Sequence, residues 1–215
     1  MRRLPLGRVR RALVVAPHPD DEAIGAWGVI RALRRRGRHV RVVVVADGAA
    51  SHPNSVAWPR HRLVAARRRE TRAAMRAIGV SARDVVFLGL PDGKLAALAR
   101  HAAQAVTRAI AAARADLIVL PCATDDHPDH RAVAAAAARA RMPGARRFAY
   151  LVWTRGARSA PMYGFPAGGL PKRAAIGRYR TQTGAIRDDP GGFAIAPHEL
   201  RAFSRPIEWF RELSR

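Results

Sequence analysis

Short apolar segments rich in valine alternate along the chain with longer segments of helical pattern. This alternation is typical of a parallel sheet, because each helix returns the chain to the edge where the next parallel strand begins. We therefore predict an α/β fold of Rossmann-like type, in which a mostly parallel, twisted sheet carries helices on both faces. The predicted strands are residues 11–17, 39–47, 84–90, 116–121 and 146–153, and the predicted helices are residues 22–37, 62–78, 95–113 and 128–139.

The length of 215 residues suits one sizeable core and is short for two domains. We expect a single domain over residues 1–215, with a core at about 11–182 and a C-terminal extension at 183–215. Long loops in compact domains are usually functional. The irregular stretches are predicted loops at 48–61 and 154–171, a short helix at 172–183 and a capped segment at 196–203.

The net charge of +23 comes mainly from arginine, while 49% of the residues are hydrophobic. The hydrophobic share excludes a disordered chain, because there is enough apolar surface to build a core. The basic residues are spread along the chain with no RNA- or DNA-binding signature, so we expect no specific nucleic-acid partner. Peripheral association with anionic surfaces stays open, and a basic, nonenzymatic module that binds nucleic acid or anionic lipid is the alternative function.

A single cysteine, Cys122, excludes an intramolecular disulfide and is typical of a reducing compartment. The arginines near the N-terminus precede an apolar stretch shorter than the roughly 7–15 residues of a secretory signal. No apolar run approaches the ~20 residues of a membrane span. We therefore expect a cytoplasmic protein, and the sequence leaves its oligomeric state open.

Two clusters of acids and histidines follow predicted strands, "HPDDE" at residues 18–22 and "DDHPDH" at 125–130. Ligands of doubly wound sheets bind beyond the carboxyl ends of the strands, so both clusters can face one pocket. Two or three His and Asp ligands with an open position describe a catalytic zinc site. The same donor types also suit ferrous iron, which is the alternative metal.

A simpler explanation exists for part of each cluster. One aspartate before a helix is usually an N-cap, and Glu22 in a first helical turn can complement the helix dipole. Helix capping does not explain three successive acids after an apolar strand, which would repel one another without a cation. In the second cluster, Pro128 suits the first position of a helix, which places His127 at the cap and His130 within the first turn.

The stretch "APHPDDE", followed about a hundred residues later by "HPDH", resembles the PIG-L (LmbE-like) family of zinc-dependent de-N-acetylases. The resemblance extends from Leu13 to about Gln182 and includes "RRRETRAAMRAIGV", "VVFLGLPDG" and "KRAAIGRYRTQ". In the last stretch, Thr181 stands where the family has serine. The resemblance implies hydrolysis of the acetyl amide of an N-acetylglucosamine-type substrate, either a small molecule or a lipid-linked sugar.

Carried over to this sequence, the resemblance implies that His18, Asp21 and His130 hold zinc. It implies that Asp20 is the general base. His127 would be a charged partner that stabilises the oxyanion and protonates the leaving amine, with Asp129 orienting it. The sequence departs from some members at Asp125, where they have a tyrosine that assists the oxyanion.

Residues outside the paired motifs are weaker candidates. The family uses an arginine in the helix after the long loop, which points to Arg67 or Arg68 as a contact for sugar hydroxyls. His52 lies in the loop expected to border the pocket and is a further candidate for substrate contact. We expect Glu22 to support the site.

Overall fold

The computed structural model describes residues 2–153 and 162–213, and these residues build one mixed sheet with helices on both faces. The α/β prediction is therefore confirmed. The strands are β1 (Arg2–Arg3), β2 (Arg11–Ala16), β3 (His39–Ala46), β4 (Val85–Leu90), β5 (Leu117–Pro121), β6 (Arg146–Tyr150), β7 (Met162–Pro166) and β8 (Ile207–Glu212). The α-helices are α1 (Asp21–Gly25), α2 (Trp27–Arg35), α3 (Arg60–Arg76), α4 (Ala99–Ala113), α5 (Pro128–Ala138), α6 (Gly169–Ile176) and α7 (Pro197–Phe203).

The strands lie in the order β1-β7-β8-β6-β5-β2-β3-β4. Strands β2 to β6 pair in parallel, and β8 runs antiparallel to both β6 and β7. From β2 the chain first extends the sheet on one side through β3 and β4, and then crosses to β5 on the other side of β2. The strand order thus reverses between β2 and β5, which is where doubly wound sheets place their ligands.

Alternate residues of the central strands enter two separate apolar layers. Val14 and Val42 pack with α2, α3 and α6 on one face, while Val15 and Val43 pack with α4 and α5 on the other. All four side chains are 0–1% exposed. Burial on both faces explains why these strands are continuous apolar runs rather than alternating patterns.

The first predicted helix is in fact two helices, α1 and α2, separated at Ala26. Gly25, the last residue of α1, lies against the ring of Tyr150, and an added Cβ would approach that ring to 2.1 Å. Glycine has no side chain, so Gly25 lets the Tyr150 ring approach the backbone closely. Glycine is also a weak helix former, which agrees with the end of α1 at this residue.

The C-terminal part of the chain is more regular than predicted. Within the predicted loop 154–171, residues 162–166 form β7 and helix α6 begins at Gly169; residues 154–161 lie outside the described residues. The predicted helix at 172–183 ends at Ile176, and a 3₁₀ turn follows at Arg180–Gln182. Strand β8 joins the sheet from the C-terminal extension, and no described helix is long and apolar enough to cross a membrane.

Strand β8 is difficult to detect in the sequence because a charged residue lies on its buried side. Glu208 and Phe210 both point inward, and the Glu208 carboxylate accepts hydrogen bonds from the Gly28 N–H at 3.0 and 3.1 Å. Lys172 Nζ lies 2.9 Å from Glu208 Oε1. This buried pair breaks the apolar alternation by which a strand is normally detected.

Candidate metal and catalytic site

The first acidic cluster folds back on itself where β2 ends. The His18 N–H donates to Asp21 Oδ2 at 2.8 Å, and His18 Nδ1 lies 3.3 Å from the same oxygen. Both residues are buried. The carboxylate of the first turn of α1 is therefore fixed against the histidine that precedes the helix.

The second cluster forms the N-terminus of α5. His127 is the N-cap, its Nδ1 accepts a hydrogen bond from the Asp129 N–H at 3.1 Å, and Pro128 occupies the first turn. His130 follows within that turn and is fully buried. This local structure is the one that the position of the proline indicates.

The two clusters meet at the carboxyl edge of the sheet. His130 Nε2 lies 3.1 Å from Asp21 Oδ2. The rings of His18, His127 and His130 have centroids 4.7, 5.4 and 5.0 Å apart. Burial alone would raise the pKa of Asp21, but the attraction of His130 and the hydrogen bond from His18 lower it far below its usual range.

The donor set fits a divalent metal ion. One nitrogen from each of His18, His127 and His130 lies within 4.8 Å of the others. Both ring nitrogens of His130 are buried near carboxylates at 3.1 and 3.2 Å, yet neither has hydrogen-bond geometry. Buried imidazole nitrogens and a carboxylate converging in this way are what zinc and ferrous sites use.

Asp125 lies behind His130 and away from the cavity. Its Oδ2 is 3.2 Å from His130 Nδ1 and accepts the N–H groups of Val152 and Trp153 at 3.3 and 3.2 Å. Its Oδ1 accepts the His127 N–H at 3.0 Å. A carboxylate behind a ligating histidine fixes the orientation of the ring and raises its basicity. Asp125, at the position where some members are expected to have a tyrosine, thus contacts His130 and does not line the cavity.

Asp20 has an unusual backbone and a charged neighbour. It is one of two described non-glycine residues with a positive φ, at 141°, and such strain is commonly held at functional sites. Its Oδ2 accepts a hydrogen bond from Arg67 Nη2 at 3.2 Å. Burial raises the pKa of Asp20 to about 8, against the opposing effect of Arg67.

Glu22 holds the backbone of Asp20 in place. The Asp20 N–H donates to Glu22 Oε2 at 3.2 Å, and the Tyr179 hydroxyl donates to Glu22 Oε1. Glu22 and Tyr179 are fully buried, and burial raises the pKa of Glu22 to about 7. Tyr179 lies in the stretch that resembles the family, but nothing in the sequence linked it to Glu22.

The position of Asp129 differs from the one expected. Its carboxylate accepts N–H groups of Gly93 at 2.8 Å and Leu95 at 3.1 Å and lies 3.4 Å from His18 Nε2. Only its backbone N–H is hydrogen-bonded to His127. Because the side chain of a residue at the second helical position points back over the preceding loop, its carboxylate reaches the loop after β4 instead of His127.

Asp92 belongs to the site and was missed in the sequence. Its Oδ1 lies 3.0 Å from His18 Nε2, and its Oδ2 accepts the Ala50 N–H at 3.0 Å. His18, Asp92 and Asp129 form a second set of possible metal ligands. The sequence does contain a signal for Asp92, because "PDGK" follows β4 at the same edge of the sheet as the two clusters.

Two of the three predicted substrate contacts do not line the cavity. Arg68 packs over the Phe87 ring at 5.5 Å, because its place on α3 faces β4. His52 is buried beneath Gly192, with Nδ1 3.2 Å from Ser51 Oγ. Arg67 does line the cavity, although it also donates to the carbonyls of Pro19 and Gly48 at 2.8 and 3.0 Å.

A cavity of about 220 Å³ opens on the clustered side chains. Its lining contains both aspartates of the first cluster and several apolar side chains. Ser51 and Gln182 also line it, the latter from the C-terminal side of the chain. The lining residues are His18, Asp20, Asp21, Ile24, Ala50, Ser51, Arg67, Asp92, Gly93, His127, Trp153, Gln182, Phe193 and Ile195.

Known proteins with similar sequences are sugar deacetylases. Diacetylchitobiose deacetylase of Thermococcus kodakarensis is 28% identical over 130 residues, which are 59% of this chain and 47% of that protein. 2'-N-acetylparomamine deacetylase of Streptomyces fradiae is 31% identical over 150 residues, 62% of this chain and 53% of that protein. The chain spans about half the length of these curated relatives.

The fold is that of a solved deacetylase. The structure of N,N'-diacetylchitobiose deacetylase from Pyrococcus horikoshii matches with a TM-score of 0.71 and 22% identity, over 97% of this chain and 85% of that one. The family model described as "PIG-L: GlcNAc-PI de-N-acetylase" matches residues 13–141, which include both clusters and Asp92. This chain therefore belongs to the PIG-L family.

Proposed function

We propose that the protein is a metal-dependent amidohydrolase that removes the acetyl group from an N-acetylated amino sugar. One observation carries the proposal: the Asp21 carboxylate lies between His18 and His130, with Asp20 beside it in the wall of a cavity. The deacetylase activities named for the relatives point to the same reaction. The fold alone would not, since one fold supports many reactions.

His18, Asp21 and His130 are the residues we assign to the metal, with zinc as the expected ion and ferrous iron as the alternative. A divalent ion held there would polarise the amide carbonyl and acidify a water molecule. Asp125 would keep the His130 ring in orientation from behind. His127 and Asp92 lie close enough to be ligands as well, so their roles require separate variants.

Asp20 is our general base. It lines the cavity next to Asp21, and its carboxylate is held by Arg67 while its backbone is held by Glu22. A base positioned beside the attacking water accepts the proton as the new carbon–oxygen bond forms. Such a group typically contributes about 10²–10⁴-fold to the rate.

His127 is our partner for the carbonyl oxygen, and the leaving amine receives the proton that Asp20 accepts from the attacking water. Because its Nδ1 accepts the Asp129 N–H, the ring proton of the neutral form lies on Nε2. Nε2–H can donate a hydrogen bond to the oxygen as negative charge develops. The neutral ring, rather than the imidazolium that the sequence suggested, therefore agrees with the observed cap.

The reaction is tested by incubating the purified protein with N-acetylglucosamine and N,N'-diacetylchitobiose and quantifying acetate and free amine. We expect release in a one-to-one ratio, loss after chelation, and recovery when zinc or ferrous ion is restored. Absence of release from both sugars under all metal conditions would contradict the proposal. Binding of DNA or anionic vesicles that weakens steeply with salt, without any amide hydrolysis, would favour the basic, nonenzymatic module instead.

A further inference from the structure

A second cavity, of about 440 Å³, shares no lining residue with the one that opens on the clustered histidines. Its lining comes from residues 3–7, from α2 and from residues 165–168. Strands β1 and β7 form one margin of the sheet, and β8, β6 and β5 separate β7 from β2, where the first acidic cluster begins. The second cavity is therefore a separate place on the molecule, and its volume is in the range of pockets that enclose small-molecule ligands.

Arginines supply the charge of the second cavity, and none of its described lining residues is acidic. The arginines are Arg3, Arg31, Arg35 and Arg36. Arg31 is half-buried and the other three are exposed. None of the four forms an ion pair with a described carboxylate. Like charges gathered around a cavity repel one another and attract an anion, which would offset that repulsion when bound.

Part of this arginine cluster has a simpler explanation. Arg35 and Arg36 lie at the C-terminal end of α2, where cations stabilise a helix through its dipole. That explanation does not extend to Arg31 in the middle of α2, or to Arg3 from β1. Arg31 and Arg35 are four residues apart on one helix, so their like charges destabilise it. A bound anion therefore explains the cluster better than the helix dipole does.

The surroundings of Arg31 add to the positive potential. A Cβ added to Gly168, the N-cap of α6, would lie 3.8 Å from Arg31 Nη1, so the guanidinium is next to the N-terminus of that helix. Such an end carries partial positive charge. The Glu208 carboxylate binds the N–H of the lining residue Gly28, but it is buried and paired with Lys172. It therefore does not offset the charge of the arginines.

Much of the remaining lining of the second cavity is apolar. Leu4 and Leu6 are each 3% exposed, and Phe165 is half-buried. A ligand with an apolar ring would remove such surface from water, whereas a bare inorganic ion would not. Guanidinium groups match the oxygens of phosphate through paired hydrogen bonds. The lining thus combines the two features that an organic phosphate requires.

We infer that the second cavity binds a soluble organic phosphate with at least two negative charges, of the class of the nucleoside diphosphates. The four arginines hold the phosphate groups, and the apolar lining receives the rest of the molecule. A cavity of this volume encloses a small molecule, which favours a soluble ligand over an extended anionic surface. The site is additional to the proposed deacetylase activity and does not depend on it.

The test is calorimetric titration of the purified protein with ADP, inorganic pyrophosphate and adenosine. We expect one ADP bound per chain with an affinity that falls as salt is added, weaker binding of pyrophosphate, and no binding of adenosine. The double variant Arg31→Ala, Arg35→Ala should bind ADP at least about tenfold more weakly, because it loses charge-assisted hydrogen bonds to phosphate. Arg31→Lys with Arg35→Lys keeps the charge but not the paired geometry, so its affinity should be intermediate.

The matched control is Arg100→Ala with Arg108→Ala, which removes the same charge from exposed positions of α4, on the other face of the sheet. It should bind ADP as wild type does. Equal losses in the two alanine pairs would reduce the effect to net charge and overturn the site. Unchanged affinity in Arg31→Ala, Arg35→Ala would also overturn it, because ADP bound to a metal in the catalytic cavity would behave in that way. Binding to vesicles that contain phosphatidylserine, without any binding of ADP, would overturn it as well.

Discussion

Asp21 Oδ2 lies 3.1 Å from His130 Nε2, although the two residues belong to segments that follow different strands, β2 and β5. The contact exists because these strands are neighbours and their carboxyl ends share one edge of the sheet. Both side chains are almost fully buried, and a buried pair of this kind needs further partners to offset its desolvation. A shared cation would supply that partner.

Asp20→Asn should separate catalysis from metal binding. The amide retains the shape of the carboxylate but cannot accept the proton, so kcat should fall by about 10²–10⁴-fold. Metal content should stay at the wild-type level, because Asp20 is not among the assigned ligands. Steady-state kinetics and elemental analysis of the same preparation check both results, and turnover equal to wild type would remove Asp20 from its role.

Asp125→Asn should lower the affinity of the site for its metal ion. The carboxylate beside His130 Nδ1 increases the basicity of the ring, and loss of such a group typically lowers metal affinity about 10–100-fold. Competition with a chromophoric chelator measures the change. Asp126→Asn changes an exposed neighbour and is the matched control. If both variants kept wild-type affinity, Asp125 would have no supporting role.

Tyr179→Phe should destabilise the protein, since it leaves the buried Glu22 carboxylate without its hydroxyl donor. An unsatisfied buried acceptor costs about 1–3 kcal/mol of the free energy of unfolding. Tyr163→Phe removes a hydroxyl from a more exposed contact with Glu212 and should change stability by less than about 0.5 kcal/mol. Denaturant titration measures the free energy of unfolding of both variants. Equal losses of stability would contradict the prediction that the buried hydrogen bond contributes more.

Gly25→Ala tests the close packing beneath α1. The added Cβ would meet the Tyr150 ring at 2.1 Å, so a loss of about 1–3 kcal/mol is expected. Gly7→Ala, where an added Cβ meets nothing within 4 Å, should be nearly neutral. Thermal unfolding of both variants measures the difference. A stable Gly25→Ala protein would show that Tyr150 moves aside easily.

The sequence predicted the central sheet because β2, β3 and β5 are buried on both faces and therefore consist of continuous apolar runs. The strand β8 was missed because Glu208 occupies an inward position, where Lys172 and the Gly28 N–H are the partners of its carboxylate. Pairing partners so distant in the chain leave no local signal.

The residues of the site likewise differ in whether they leave a local signal in the sequence. His18, Asp21 and His130 stand in dense motifs at strand ends, so their proximity could be predicted from topology. Asp92 stands alone in a turn-like "PDGK", and Phe193 is brought to the cavity by tertiary contacts, a hydrogen bond to Ser51 and a ring contact with Trp153. Such residues are recognisable once tertiary contacts are known.

The most direct test of the metal site is elemental analysis of the wild-type protein beside His130→Ala and His127→Ala. The account predicts about one zinc or iron per wild-type chain, a loss of that metal in His130→Ala, and retention with impaired turnover in His127→Ala. Wild-type protein that takes up no metal even when zinc and ferrous ions are supplied would contradict it.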